Sequence, residues 1–116
     1  PVNQASVKSV DALFAINERL VTWLDTSLGH VAYIAVGATC VSRIHAAYDA
    51  VVTHTGAGQK VVNYERPIPI AKGGEIGMFE MGSTVILLFQ KGKLTWDPAL
   101  KPDVPVRLGQ RIATRT

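Results

Sequence analysis

The residues with the most chemical potential in this chain are Gly82, Ser83 and Thr84, inside the stretch GGEIGMFEMGSTVILLF at residues 73–89. Ser83 follows Gly82 directly, so its hydroxyl lies beside the Gly82 carbonyl. An activated hydroxyl there can attack its own preceding peptide bond. A serine hydroxyl is a weak nucleophile until a base removes its proton. The same residues also read as an ordinary hairpin corner, because Gly-Ser is a common turn pair. On those three residues alone the corner is the better reading, since short motifs often match by chance. Thr84 is either a hydrogen-bonding neighbour of the corner or a β-branched strand residue.

No other stretch specifies chemistry by itself. There is no GxGxxG, P-loop or HExxH pattern. His30, His45 and His54 stand apart without helical ligand spacing, and one cysteine cannot close a zinc site, so no metal is expected. Cys40 lies in an apolar run and reads as inert core. A lone cysteine excludes an internal disulfide and fits a reducing compartment. Nothing in the order of residues specifies a Ser-His-Asp site. No lysine sits in a Met-Lys-Met hairpin that would carry biotin or lipoate.

The elements that must position Ser83 are mostly short strands. Residues 75–79 and 84–89 are two apolar runs on either side of the Gly-Ser corner. They are expected to be neighbouring strands, with Ile76, Phe79, Val85 and Leu87 buried because short strands need a packed face. Residues 4–15 place Val7, Val10, Leu13 and Phe14 on one helical face. Residues 20–24 and 31–36 read as strands around a turn at DTSLG, residues 25–29. Residues 41–44 and 48–53 suggest a further strand or a bent pair, and residues 61–64 a short strand. Pro67 and Pro69 keep residues 66–70 on an edge or outside the sheet. QKGK at 90–93 reads as a hairpin turn, with residues 94–96 as the returning strand. Three prolines make residues 97–105 a loop, and Gly109 punctuates a last short strand. The fold expected is mainly β (α+β). It is a single β-rich domain of short strands, barrel- or sandwich-like, with a short N-terminal helix.

Size and charge bound the reading. A chain of 116 residues supports one core. The longest mostly apolar run, residues 31–41, is too short to span a bilayer. PVNQASVKSV lacks a basic region followed by an apolar one, so no signal peptide is expected. The net charge is +3. From Lys91 onward six basic residues (Lys91, Lys93, Lys101, Arg107, Arg111, Arg115) face only Asp97 and Asp103, giving +4 there and −1 elsewhere. A basic end suits an anionic membrane surface, at about 1 kcal/mol per well-placed charge, and suits a plain solvated surface slightly better. Aromatics are not interleaved with these residues, which argues against nucleic acid.

Three stretches taken together change the reading of the corner. LFAINER at 13–19 resembles the LFARNER stretch of phosphatidylserine decarboxylases. DTSLGHVAYIAVGAT at 25–39 resembles their DTxFGxMAxxxVGAT stretch, and GEIGMFEMGSTVILLF at 74–89 resembles their GEEMGxFxLGSTVIxLF stretch. Order and spacing agree, and the similarity continues through GKLTW and LGQRIA. The departures are Ile16 for the usual Arg, Met81 for the usual Leu, and His30 where Pro is usual, so His30 inherits no catalytic role. The resemblance covers only the C-terminal portion of the family. The histidine and aspartate that drive self-cleavage there lie upstream of anything matching Pro1.

The resemblance implies a specific chemistry. Ser83 is the self-cleavage nucleophile and Gly82 carries the cleaved carbonyl. Amide becomes ester, elimination frees Gly82, and the residue left at 83 becomes a pyruvoyl group with release of ammonia. A Schiff base between that ketone and the substrate amine accepts the electrons left when carbon dioxide departs. The implied reaction converts phosphatidylserine to phosphatidylethanolamine. The implied partners are the phospholipid, the upstream part of the same enzyme, a peripheral surface on the cytoplasmic side of the cell membrane and further copies in a homo-oligomer. Trp96 and the basic tail are candidates for the lipid-facing surface, Trp96 reading also as a packing residue, whereas Trp23 reads as core. Substrate-binding residues are not specified. The competing reading is a non-catalytic, uncleaved β-rich domain that keeps the motif.

Overall fold

The computed structural model describes residues 18–37, 43–50, 53, 61–80 and 84–116. Seven strands lie in these residues: β1 (Arg19–Thr26), β2 (Gly29–Val36), β3 (Ile44–Ala46), β4 (Gly77–Phe79), β5 (Thr84–Phe89), β6 (Leu94–Trp96) and β7 (Ala113–Arg115). No helix occurs among the described residues. The helix expected over residues 4–15 lies outside them, as do Cys40 and His54.

β1 and β2 are joined by Ser27 and Leu28 alone. A link that short can join only antiparallel strands. Thr26 fixes the corner: its hydroxyl accepts from the Leu28 N–H at 3.0 Å and donates to the Gly29 carbonyl at 2.8 Å. Gly29 has φ +89°, where an L side chain is strained. The turn legible at residues 25–29 is therefore narrower than its composition suggests.

β2 is the centre of a three-stranded sheet with order β1-β2-β5. Its position explains its sequence. Val31, Ala32, Ala35 and Val36 are all buried, and a strand covered on both faces needs no polar alternation. β1 alternates instead. Thr22 is buried, while Val21 and Trp23 point the other way, Trp23 being 74% exposed. The core position expected for Trp23 is thus corrected: the strand's two-residue period puts it on the face opposite Thr22.

The chain falls into two compact units. The first is Pro1–Val21 with Ile34–Ile86. Its best-buried large side chain is Ile44 in β3. β3 pairs antiparallel with β4 in the register Ile44↔Phe79, His45↔Met78, Ala46↔Gly77. Ile44 turns its own polar groups away from β4, its N–H donating to Thr53 Oγ1 at 2.9 Å and its carbonyl accepting from the Thr53 N–H at 3.0 Å. β3 is therefore held on both edges. The second unit is Thr22–Tyr33 with Leu87–Thr116. There β6 pairs antiparallel with β7, Trp96 opposite Ala113. Bonds from Asp97 N–H to the Ile112 carbonyl (2.8 Å) and from Thr116 N–H to the Lys93 carbonyl (3.2 Å) extend that ladder. Trp96 meets Phe89 edge-on, with ring centroids 5.6 Å apart, yet stays 46% exposed.

Several expectations are corrected. Residues 75–79 and 84–89 are not paired neighbours: β4 pairs with β3, and β5 pairs with β2. Ile76, Phe79 and Leu87 are half-buried, but Val85 is exposed; among the described residues β5 has a partner strand, β2, on one edge only. The turn at 90–93 forms, with Gly92 at φ +78°, but β6 finds its partner in β7 and not in β5. Residues 61–64 form no strand and are exposed. The prolines do leave residues 66–70 outside any strand. The strand-rich reading holds, but the strands form three small sheets, and among the described residues there is no closed barrel.

Candidate active site

Gly82 and Ser83 lie, with Met81, outside the described residues. Their flanks are described on both sides, and both fall in the first unit. Upstream, the ladder between β3 and β4 runs one pair beyond the strands at each end. Ala47 N–H donates to the Ile76 carbonyl at 3.0 Å, and Glu80 N–H donates to the Arg43 carbonyl at 2.8 Å. Gly77 is needed within it, since a Cβ there would stand 2.9 Å from the His45 carbonyl oxygen. Downstream, β5 begins at Thr84 in the sheet with β2. The chain therefore changes partner strands between Glu80 and Thr84, and the Gly82–Ser83 bond falls in that interval.

Glu80 is the described residue just before the interval. Its side chain reaches His45, Oε1 to Nε2 at 2.8 Å, and its other oxygen lies 3.9 Å from Arg43 Nε. All three side chains are partly exposed. Neither this constellation nor its register was visible in the sequence. Arg43 and His45 are two apart, as are Met78 and Glu80, so each pair shares a strand face. Thirty residues separate the two strands, and nothing local fixes their pairing.

His30 pairs through Nδ1 with Asp25 at 2.7 Å in the second unit, both groups largely exposed. Its N–H donates to Gln90 Oε1 at 3.0 Å, tying the start of β2 to the residue after β5. Tyr64 donates a hydrogen bond to Asp49 and stands edge-on to Tyr48. That bond, followed by desolvation and the Asp49 charge, pushes the Tyr64 pKa up to about 12. Tyr64 is therefore a neutral phenol near neutral pH and no base. Among the described residues no His, Cys, Asp and Glu side chains gather as a metal site.

The basic side chains from Lys91 to Arg115 are all exposed. Leu108 is fully exposed at the apex of a turn closed by Gln110 N–H on the Arg107 carbonyl at 3.0 Å, with Gly109 at φ +82°. Among the described residues no helix is long and apolar enough to cross a membrane.

The family profile described as "Phosphatidylserine decarboxylase" matches residues 1–114. A relative from Myxococcus xanthus (strain DK1622), named phosphatidylserine decarboxylase proenzyme, is 60% identical over 116 residues, covering 100% of this chain and 41% of the relative. One of the same name from Anaeromyxobacter sp. (strain K) is 57% identical over 115 residues, 97% of this chain and 41% of the relative. Another from Coxiella burnetii (strain RSA 331 / Henzerling II) is 45% identical over 114 residues. The chain thus spans about two fifths of the length of the curated relatives it matches. No solved structure gives a significant match.

Proposed function

The chain belongs to the phosphatidylserine decarboxylase family, and from that membership we propose that it is the C-terminal, self-cleaving portion of a pyruvoyl-dependent enzyme that converts phosphatidylserine to phosphatidylethanolamine. The observation that carries the reading is the change of partner strand around Gly82-Ser83. A break there severs no described ladder: the segment ending at Gly82 stays on β3 through β4, and the segment starting at residue 83 stays on β2 through β5.

Ser83 is the residue that fits the prosthetic group, because its three carbons are those of a pyruvoyl group. Ser83 Oγ, deprotonated by a base, attacks the Gly82 carbonyl carbon. The C–N bond breaks as the nitrogen takes a proton, leaving an ester. Loss of the Ser83 Cα proton and cleavage of the Cβ–Oγ bond release Gly82 as a carboxylate. The enamine left at 83 becomes an imine, water adds, and ammonia leaves. Gly82 lacks a Cβ that would crowd the attack. When formed, the ketone supplies the electron sink for loss of carbon dioxide from an amine-bearing substrate.

The remaining parts of the reading concern partners. The base comes from the upstream part of the same enzyme. The exposed basic side chains after Lys91, with Trp96, suit the anionic surface in which the substrate lies. The reading is of an enzyme held peripherally on the cytoplasmic side of the membrane, as a homo-oligomer.

Ser83→Ala in the full-length parent tests the assignment. Alanine has no oxygen to attack Gly82 and cannot become a ketone, so both chain cleavage and decarboxylation should be lost. Continued turnover by purified Ser83→Ala protein would sink it.

A further inference from the structure

We propose that the turn at residues 107–110 is a membrane anchor: Leu108 enters the apolar layer of an anionic bilayer while Arg107 and Arg111 hold headgroup phosphates. The inference rests on the reading of an enzyme that works at a lipid surface, and it names the element that makes the contact. Leu108 is fully exposed at the apex of the turn. Two bonds close the turn. Gln110 N–H donates to the Arg107 carbonyl at 3.0 Å, and Arg107 N–H donates to Gln110 Oε1 at 2.9 Å. Gly109 supplies the positive φ, +82°, at the third turn position. A Cβ built on Gly109 meets nothing within 4 Å, so the turn projects into open space. Its geometry needs Gly109, but the second position of such a turn tolerates many residues. No contact within the fold calls for leucine there.

The neighbours of Leu108 indicate what covers it. Arg107 precedes it and Arg111 follows three residues on, both exposed. Neither pairs with a carboxylate among the described residues. Residues 104–116 contain three arginines and no Asp or Glu, the nearest acid being Asp103. Val104 and Val106, both exposed, extend the apolar surface on the approach to the turn. An anionic bilayer matches this order of groups, with phosphate at the surface and hydrocarbon beneath it. The planar guanidinium fits phosphate with two parallel hydrogen bonds. Its apolar stem can lie along hydrocarbon while the charge stays among the headgroups. Apolar insertion and basic charge are both needed, because even a whole myristoyl chain binds a membrane only marginally by itself.

The test is sedimentation of the full-length parent with vesicles of phosphatidylcholine, with and without phosphatidylglycerol. The parent should bind the anionic vesicles more tightly than the neutral ones. Leu108→Ala should weaken anionic binding about tenfold: it removes three carbons, each worth about fourfold when fully buried, and burial at an interface is partial. Leu108→Phe should bind at least as tightly as the parent. Arg107→Gln and Arg111→Gln should each cost about fivefold, an effect that shrinks as salt is added. In solution, Leu108→Ala should move the thermal midpoint by less than about 2 °C, as for a surface side chain. Anionic binding unchanged in Leu108→Ala would overturn the proposal, as would a parent that does not prefer anionic vesicles. A fall of more than about 4 °C in the midpoint would also overturn it, because Leu108 would then be packed against the upstream part of the enzyme. Failure of the parent itself to decarboxylate phosphatidylserine would instead refute the underlying reading. The vesicle measurements do not depend on turnover, so the two failures are distinguishable.

Discussion

Replacing Gly29 with alanine should destabilise the fold by two separable effects. Gly29 opens β2 with φ +89°, and an L residue in the left-handed region costs about 1–2 kcal/mol. An added Cβ would also stand 1.9 Å from Gln90 Oε1. That oxygen accepts the His30 N–H at 3.0 Å and ties the end of β5 to the start of β2. Gln90 is a flexible side chain and can swing away, but the hydrogen bond is then lost, at about 0.5–1.5 kcal/mol. Gly92→Ala is the internal control. Gly92 has nearly the same φ, +78°, and nothing within 4 Å of a built Cβ, so it reports the backbone effect alone. The assay is urea denaturation of the full-length Ser83→Ala parent, which stays uncleaved. Gly29→Ala should cost more than Gly92→Ala by about the value of one hydrogen bond. In a Gln90→Ala background that excess should vanish, since no oxygen is left to displace. Equal costs at the two glycines, or an excess that survives Gln90→Ala, would refute the reasoning.

Two further outcomes follow from the same geometry. Tyr64 should titrate near pH 12 by ultraviolet absorbance, and Asp49→Ala should move its titration down towards about 10, the ordinary tyrosine value. The sign follows from linkage: a raised pKa in the folded state favours folding below the unfolded value, so any stabilisation from this pair fades as pH climbs from about 10 to about 12; an unmoved titration in Asp49→Ala counts against the pair. A chain of residues 1–116 expressed alone should keep its intact mass on prolonged incubation, because base assistance contributes about 10²–10⁴-fold and the base is proposed to come from the upstream part of the enzyme. It should also run as a dimer or larger in light scattering, since Trp23, Val61 and Leu108 leave apolar surface in water; a monomer at high concentration would contradict this.

The parts of the fold legible in the sequence are those set by short-range chemistry. DTSLG marks a hairpin because Thr26 and Gly29 suit its corner. VAYIAV marks a strand because of its β-branched and aromatic content, and Pro67 and Pro69 cannot join a ladder. What was not legible is which strand meets which. Thirty residues separate β3 from β4, and β6 passes over its neighbour β5 for β7 near the chain's end. Trp23 and Val85 show the second limit: an apolar residue identifies a strand, while its exposure depends on the face and on whether the strand is an edge. The role proposed for Gly82-Ser83 rests on the flanking stretches and not on the pair alone, because Gly-Ser is also a common turn pair. The Glu80–His45 tie was invisible for the same reason as the pairing that creates it.

The most direct measurement is the intact mass of the full-length parent after purification. Two chains should be found, one ending at Gly82 and one beginning at residue 83 with no free amine. The second should be lighter by one ammonia than a fragment that starts with serine, and a hydride reductant should add two hydrogens to its ketone. A single uncleaved chain that decarboxylates phosphatidylserine, or a fragment starting with an unmodified Ser83, would contradict the assignment.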